Sequence, residues 1–194
     1  MKHFVRLMGI GLVLCSFVVT PAVSSAAQAA ASDAATGTVL VTGSSRGIGL
    51  EFARQYAAAG WTVIATARKP TESANLRELA RRHPNVRLEA LDVVDGVSVT
   101  ALRDRLRGVA IDVLINNAGF MTFADMLEVD DKTWDDIYSV NVRAPMRIMK
   151  AVLKEMVKAG RGSVINIGSS WSSRASVFNL DGGGVDYCSS KAAL

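Results

Sequence analysis

Two hydrophobic patterns alternate along most of the chain. Short, nearly continuous apolar runs rich in β-branched residues occupy positions 38–42, 62–66, 86–91, 111–115 and 163–167. Runs of that length predict buried strands. Between them apolar residues recur every three or four positions, the spacing of a helix face. Ile48, Phe52 and Tyr56 mark a first helix that stops at Gly60. Leu76 and Leu79 mark a second, with Arg77, Arg81 and Arg82 forming a basic outer face beside Arg87, and Val99, Leu102 and Leu106 mark a third. A long helix spans about 131–159, with Trp134, Ile137, Ile148 and Val152 inward. Strict strand–helix alternation with apolar strands predicts an α/β fold, a doubly wound parallel sheet covered on both faces.

The first residues follow neither pattern. Lys2, His3 and Arg6 precede a thirteen-residue apolar run, 7–19, and then small residues that end in Ala27-Gln28-Ala29. A basic start, a short apolar centre and an Ala-x-Ala site together read as an export signal, and thirteen residues are too few to span a bilayer. Residues 1–29 are therefore set apart as a signal peptide or anchor, and 30–37 as a flexible lead-in. The folded domain is expected over 38–194. Export to the periplasm or medium is the expected localisation, with cytoplasmic or membrane-anchored residence as the alternative.

Composition narrows the classes. The chain has 194 residues, 49% hydrophobic and 21% charged, which suits one globular domain. Its net charge of +4 falls to +2 without Lys2 and Arg6, too little to argue for a nucleic-acid partner. After signal cleavage nothing suggests a membrane partner. Two cysteines, one inside the signal, cannot build a disulfide framework or a cysteine metal site. His3 and His83 are no ligand candidates, so no metal site is expected, and Cys188 reads as packing.

The first strand runs into Thr42-Gly43-Ser44-Ser45-Arg46-Gly47-Ile48-Gly49. Glycines there let the backbone turn tightly and approach a pyrophosphate, which the N–H groups of the following helix can hold. A P-loop is excluded because no lysine follows the last glycine. Strand two ends in Ala67-Arg68-Lys69 with no carboxylate to hold a ribose 2′-hydroxyl. With Arg46 inside the loop, cations in place of an anion favour NADP (NADPH) over NAD.

Farther along stand Asn116-Asn117-Ala118-Gly119, Asn141, Ser169-Ser170 and Tyr187-Cys188-Ser189-Ser190-Lys191. With the glycine loop at 43–49 and Asp92 after strand three, this order of motifs resembles the short-chain dehydrogenase/reductase family. The resemblance runs from about Thr38 to the last residue. It implies a Rossmann fold with strand order 3-2-1-4-5, ligands binding where the order reverses between strands one and four. It implies cofactor contacts from Gly43, Ser45, Arg46, Gly47, Ile48 and Gly49, from Arg68, from Asp92 (at the adenine) and Val93, from Asn117, Ala118 and Gly119, and from Tyr187 and Lys191. It implies a catalytic set of Asn141, Ser169, Tyr187 and Lys191. Ser169 and Ser170 are hard to separate, and the spacing of three from Asn166 favours Ser169.

Physical chemistry supports those roles. Residues 187 and 191 share a helix face. A tyrosine with an ordinary pKa near 10 is a poor proton donor or acceptor at neutral pH, and a neighbouring ammonium stabilises its phenolate. A group tuned this way contributes about 10²–10⁴ in rate. Ser169 would hydrogen-bond the substrate oxygen as charge develops there. The resemblance implies in addition that Lys191 holds the nicotinamide ribose and that Asn141 orders a water in a proton relay. The reaction implied is hydride transfer between NADP(H) and a small-molecule carbonyl or alcohol.

Two features depart from the family. Eighteen positions separate Ser169 from Tyr187, and they include the flexible-looking Asp181-Gly182-Gly183-Gly184. A similar insertion resembles the C-factor-like branch, which opens a second reading, a nucleotide-binding signalling protein without turnover. The sequence also stops three residues after Lys191, so the sheet is expected to be incomplete at its C-terminal end. A fragment of this kind is expected to be weakly active or inactive and to expose apolar surface on strand five and the long helix. The family's homo-oligomers are doubtful for it. An exported chain would also meet little NADPH.

Overall fold

The computed structural model describes residues 36–122, 127–173 and 184–194. The signal segment, the lead-in up to residue 35 and Asp181-Gly182-Gly183 lie outside the described residues.

Among the described residues five parallel strands form one sheet: β1 (Thr38–Val41), β2 (Thr62–Ala67), β3 (Val86–Ala90), β4 (Val113–Asn116) and β5 (Ser163–Asn166). Their order is β3-β2-β1-β4-β5, so the sheet reverses between β1 and β4. The helices are α1 (Gly47–Ala58), α2 (Ala74–Arg82), α3 (Gly96–Arg105), α4 (Asp131–Tyr138), α5 (Ala144–Ala159) and α6 (Val185–Ala192). Alternating strand residues divide the core in two. Val39, Val41, Val63, Ala65 and Ile115 pack with Ala53 and Ala57 of α1 and Leu76 and Leu79 of α2. Leu40, Ile64 and Leu114 pack with Val99 and Leu102 of α3 and Ile148, Val152 and Met156 of α5. Helices on both faces are what nearly all-apolar strands require.

Several details differ from the sequence expectation. In α1 the buried stripe is Gly49, Ala53 and Ala57, one position on from Ile48, Phe52 and Tyr56. Small residues let this helix lie close to the sheet, and they leave Ile48 62% exposed. Strand four begins at Val113, two residues later than the apolar run; Asp112 just before it takes the Thr38 N–H on its carboxylate at 2.9 Å and bonds Thr38 and Ser163 through its backbone. Gly37, assigned to the flexible lead-in, already pairs with the sheet through the Thr62 N–H. Arg87 belongs to β3, not to a basic helix face, and it pairs with the buried Glu89, which also takes Arg105 at 2.7 Å.

The long helix is not continuous. A π-helical turn, Ser139–Arg143, separates α4 from α5. Pro145 explains the break: it has no N–H to give the carbonyl four residues back, that of Asn141, and its ring crowds that carbonyl. The widened turn is closed instead by Ala144 N–H to Ser139 O, five residues apart. Of the four residues expected to face inward, Ile137, Ile148 and Val152 are buried, whereas Trp134 is half-buried and stacked on Tyr138.

Strand β5 lies at the edge of the sheet, mostly exposed. Ile165 within it and Met146, Leu153 and Val157 on α5 are exposed apolar side chains.

Leu114, fully buried on a central strand, is a sensitive point of the core. Leu114→Ala is expected to lower unfolding free energy by about 2–5 kcal/mol, measured by urea unfolding followed by circular dichroism.

Candidate active site

The carboxyl ends of β1 and β4 are tied together before any ligand is considered. Thr42, 2% exposed, directly follows β1. Its hydroxyl oxygen accepts the N–H groups of Asn117 and Ala118, each at 3.0 Å. The Asn117 amide reaches back and donates to the carbonyls of Thr42 at 2.9 Å and Gly43 at 3.2 Å. Ser44, also buried, donates its hydroxyl to Val41 O at 2.8 Å. The glycine loop is thus held shut by side chains that the sequence reading passed over (Thr42, Ser44) or assigned to the cofactor (Asn117). A buried hydroxyl at the last position of an apolar strand was the available signal.

Three glycines in this loop do three different things. Gly43 has φ +68°, and a Cβ there would lie 2.9 Å from Ala118 Cα, so the two loops touch only because it has none. Gly47 has φ +58°, and a Cβ there would meet nothing within 4 Å, so this position lies open at the cleft. Gly49 is buried, and a Cβ on it would overlap the Asn117 amide nitrogen and the Gly43 carbonyl oxygen. Its place is in the packing of α1 against the loop. It does not line the cleft where the other loop candidates stand.

That cleft has a volume of about 490 Å³. Gly43, Ser45, Arg46, Gly47 and Ile48 line it from the loop, Arg68 from the end of β2, Asp92 and Val93 from the end of β3, and Asn117, Ala118 and Gly119 from the end of β4. Ala67, Leu91, Val94, Phe120 and Val140 complete the wall. Lys69 is engaged by Glu72 at 3.1 Å. Arg46 and Arg68 are exposed, and among the described residues neither has a carboxylate partner. A cavity of similar size, about 550 Å³, lies between α3 and α5 and holds none of the candidate residues.

Tyr187 and Lys191 sit on α6, with the Lys191 Nζ 5.9 Å from the Tyr187 ring centroid. The Lys191 ammonium donates to Ile167 O, just past β5, at 2.7 Å. It also faces Gly119, past β4, where a Cβ would lie 3.8 Å from Nζ and 3.7 Å from Asn141 Oδ1. Tyrosine, lysine and the ends of β4 and β5 therefore meet in one place, beside the cleft. Burial pushes the Lys191 ammonium below the usual lysine range.

Asn141 is fully buried in the π-helical turn. Its Oδ1 accepts Phe120 N–H and its Nδ2 donates to Phe120 O and to Ser190 Oγ, all at 2.9 Å. The side chain joins three elements (the π turn, the β4 loop and α6), and both its N–H groups are used in doing so. Ser169 is half-buried in the segment after β5, where its Oγ accepts Trp171 N–H at 3.2 Å. Ser170 opens the following 3-10 turn, Ser170–Ser173. Trp171 packs edge-on against the Tyr187 ring, centroids 6.3 Å apart, which brings this segment to α6. Cys188 is a half-buried free thiol.

The family model described as short chain dehydrogenase matches residues 37–194. The chain belongs to the short-chain dehydrogenase family. Its relatives include a 3-oxoacyl-acyl-carrier-protein reductase of Escherichia coli K12, 32% identical over 157 residues, 80% of this chain and 62% of that protein. A galactitol 2-dehydrogenase of Agrobacterium fabrum is 34% identical over 162 residues, 80% of this chain and 59% of the relative. Among solved structures, a short-chain dehydrogenase from Streptomyces avermitilis superposes with TM-score 0.75 at 33% identity, covering 84% of this chain and 58% of that one. A gluconate 5-dehydrogenase from Burkholderia cenocepacia, solved with NADP and tartrate, gives TM-score 0.70 at 30% identity, covering 81% and 61%. The chain thus spans about six-tenths of the length of these relatives. Short-chain dehydrogenases are oxidoreductases that use a nicotinamide cofactor.

Two outcomes follow from this geometry. Gly49→Ala must push the Asn117 amide off the glycine loop, so it is expected to lower Tm and weaken dinucleotide binding together, read by thermal unfolding with and without nucleotide. Lys191 has its native pKa below the ordinary 10.5. Between those two values the unfolded chain binds more protons than the native one, so this residue makes stability rise with pH across that window. Lys191→Met is expected to flatten that rise in urea titrations run at a series of pH values below 10.5.

Proposed function

We propose that this chain is an NADP(H)-binding oxidoreductase domain that serves hydride transfer between the nicotinamide and a small-molecule carbonyl or alcohol. The observation that carries the reading is the meeting of Tyr187 and Lys191 with the ends of β4 and β5, beside a glycine-lined cleft. The residues fit such a cofactor. Gly47 lies open where a pyrophosphate would approach, and α1 begins at that point with its N–H groups unfilled. Arg46 and Arg68 favour the 2′-phosphate form, because a cation without a carboxylate partner gains most from a phosphate. The NADP in the Burkholderia structure and in a metagenomic short-chain oxidoreductase supports the same choice.

When bound, the cofactor supplies or accepts the hydride. The chain's own residues handle position and proton. Asp92 would stand at the adenine, and Asn117, Ala118 and Gly119 along the ribose and nicotinamide side of the cleft. Tyr187 gives or takes the proton at its phenol oxygen, and the Lys191 ammonium offsets charge that develops there. On nucleotide binding Lys191 would exchange its Ile167 carbonyl for the nicotinamide ribose. Ser169 would hold the substrate oxygen, giving up the weak 3.2 Å bond from Trp171 N–H. Asn141 has its amide fully occupied within the protein, so its part in a proton relay would be to fix the π turn around an ordered water. Residues 1–29 would direct export.

The test is titration of the chain with NADPH and with NADH, followed by nucleotide fluorescence. NADPH is expected to bind more tightly, and Arg68→Asp to reverse the order. Tyr187→Phe is expected to lower turnover by about 10²–10⁴ with little change in nucleotide affinity. Absence of binding by either nucleotide would overturn the reading. Tighter binding of NADH by the unmodified chain would overturn the assignment of Arg68.

A further inference from the structure

One buried carboxylate beside the site takes no part in the chemistry described above. Asp186, the residue before Tyr187, is 1% exposed. Its Oδ2 accepts the Thr122 hydroxyl at 2.6 Å, across 64 residues of sequence, and its Oδ1 accepts the Tyr187 N–H at 2.7 Å. Thr122 lies three positions past Gly119, on the segment that leaves the end of β4. Its carbonyl also backs onto the start of α6, where a Cβ at Gly184 would lie 3.8 Å from Thr122 O. The Tyr187 N–H is one of the first-turn donors that a helix leaves unfilled, so Asp186 closes it and anchors the same turn to β4 with one group.

We infer that Asp186 and Thr122 form a positioning pair that sets where the Tyr187 phenol stands relative to the β4 loop, and hence to substrate and nicotinamide. The inference rests on the functional reading above. The reasoning is geometric. Helix α6 has eight residues, too few to be stable by its own hydrogen bonds. Its place is decided by contacts to other elements. Lys191 reaches Ile167 O and Ser190 reaches Asn141, both on the second half of the helix. On the first half the Trp171 ring packs edge-on against Tyr187, a contact that carries no hydrogen bond to fix the direction of the turn. Asp186 supplies the tether at the other end, next to the phenol. A swing of about 1 Å at a reacting group can lower a rate by about a hundredfold, which makes this contact matter to turnover more than to binding. A buried carboxylate with two donors is also a costly group to leave with one, so the pair holds or fails together.

The test uses the full chain labelled with ¹³C in its tyrosine rings. There are three tyrosines, and Tyr187→Phe assigns the third signal. Thr122→Val keeps the shape and removes the hydroxyl, Thr122→Ser restores the donor, and Asp186→Asn leaves one oxygen where two are used. Thr122→Val is expected to move the Tyr187 signal and to lower kcat tenfold to a hundredfold, with KM for the carbonyl substrate and Kd for NADPH within twofold. Thr122→Ser is expected to return both readouts to wild type, and Asp186→Asn to fall between. An unmoved Tyr187 signal with unchanged kcat in Thr122→Val would overturn the inference. So would a loss of NADPH affinity in step with kcat, because that is the mark of general unfolding. If neither NADPH nor NADH binds wild type while Thr122→Val still moves the Tyr187 signal and Thr122→Ser restores it, the functional reading fails and the tether stands.

Discussion

The hydrogen bonds that Thr42 and Asn117 make across the gap between β1 and β4 set the rest of the site. At this place the sheet changes direction, so the chain leaving β1 turns one way and the chain leaving β4 the other, and a crevice opens between them. A crevice between two loops has no shape unless the loops are held. Here one threonine hydroxyl accepts two backbone N–H groups, and one asparagine amide donates to two backbone carbonyls in return. These groups are buried or half-buried, where an unmade hydrogen bond is expensive, so the arrangement has few alternatives. Gly43 and Gly49 are glycines because this closure leaves no room for a side chain.

The second half of the site is attached to that closed crevice by polar contacts, not by apolar packing. Helix α6 reaches the segments past β4 and β5 through Asp186 and Lys191, and the π turn through Ser190. Each of these contacts has a defined direction, which suits a helix whose task is to aim two side chains. The same burial that places Lys191 against the Ile167 carbonyl also disfavours its charge. On the cofactor side the electrostatics run the other way. Arg46 and Arg68 remain exposed at the rim with no carboxylate partner among the described residues, so they stay available to an anion.

Much of this was legible before any coordinates. Five apolar runs separated by helical periods require a covered parallel sheet, and the glycine loop after the first run places a helix start at its edge. Most of the residues assigned to the cofactor do line one cleft. The departures have identifiable causes. Pro145 was in plain view, yet its effect falls four residues back, at Asn141, so a search for apolar period read straight through the break. Gly49 looked like a cofactor contact because the motif does not distinguish a glycine that faces a ligand from one that faces a neighbouring amide. Ile48 looked inward because period alone fixes the angular spacing of a stripe but not which stripe is turned to the sheet, and the small residues one position on pack closer.

The order of residues alone determined the alternation of strand and helix, the position of the glycine turn and the helical pairing of Tyr187 with Lys191, since each of these is a local property decided within a few residues. Tertiary structure decided which groups separated by 50 to 75 residues touch: Asn116 and Asn166 side by side, Asn117 on the Thr42 carbonyl, Thr122 on Asp186. Such contacts carry no local signature, because a hydroxyl or a carboxylate is chosen by whatever the fold places opposite it. Only the packed sheet brings those partners within the 3 Å that a hydrogen bond requires.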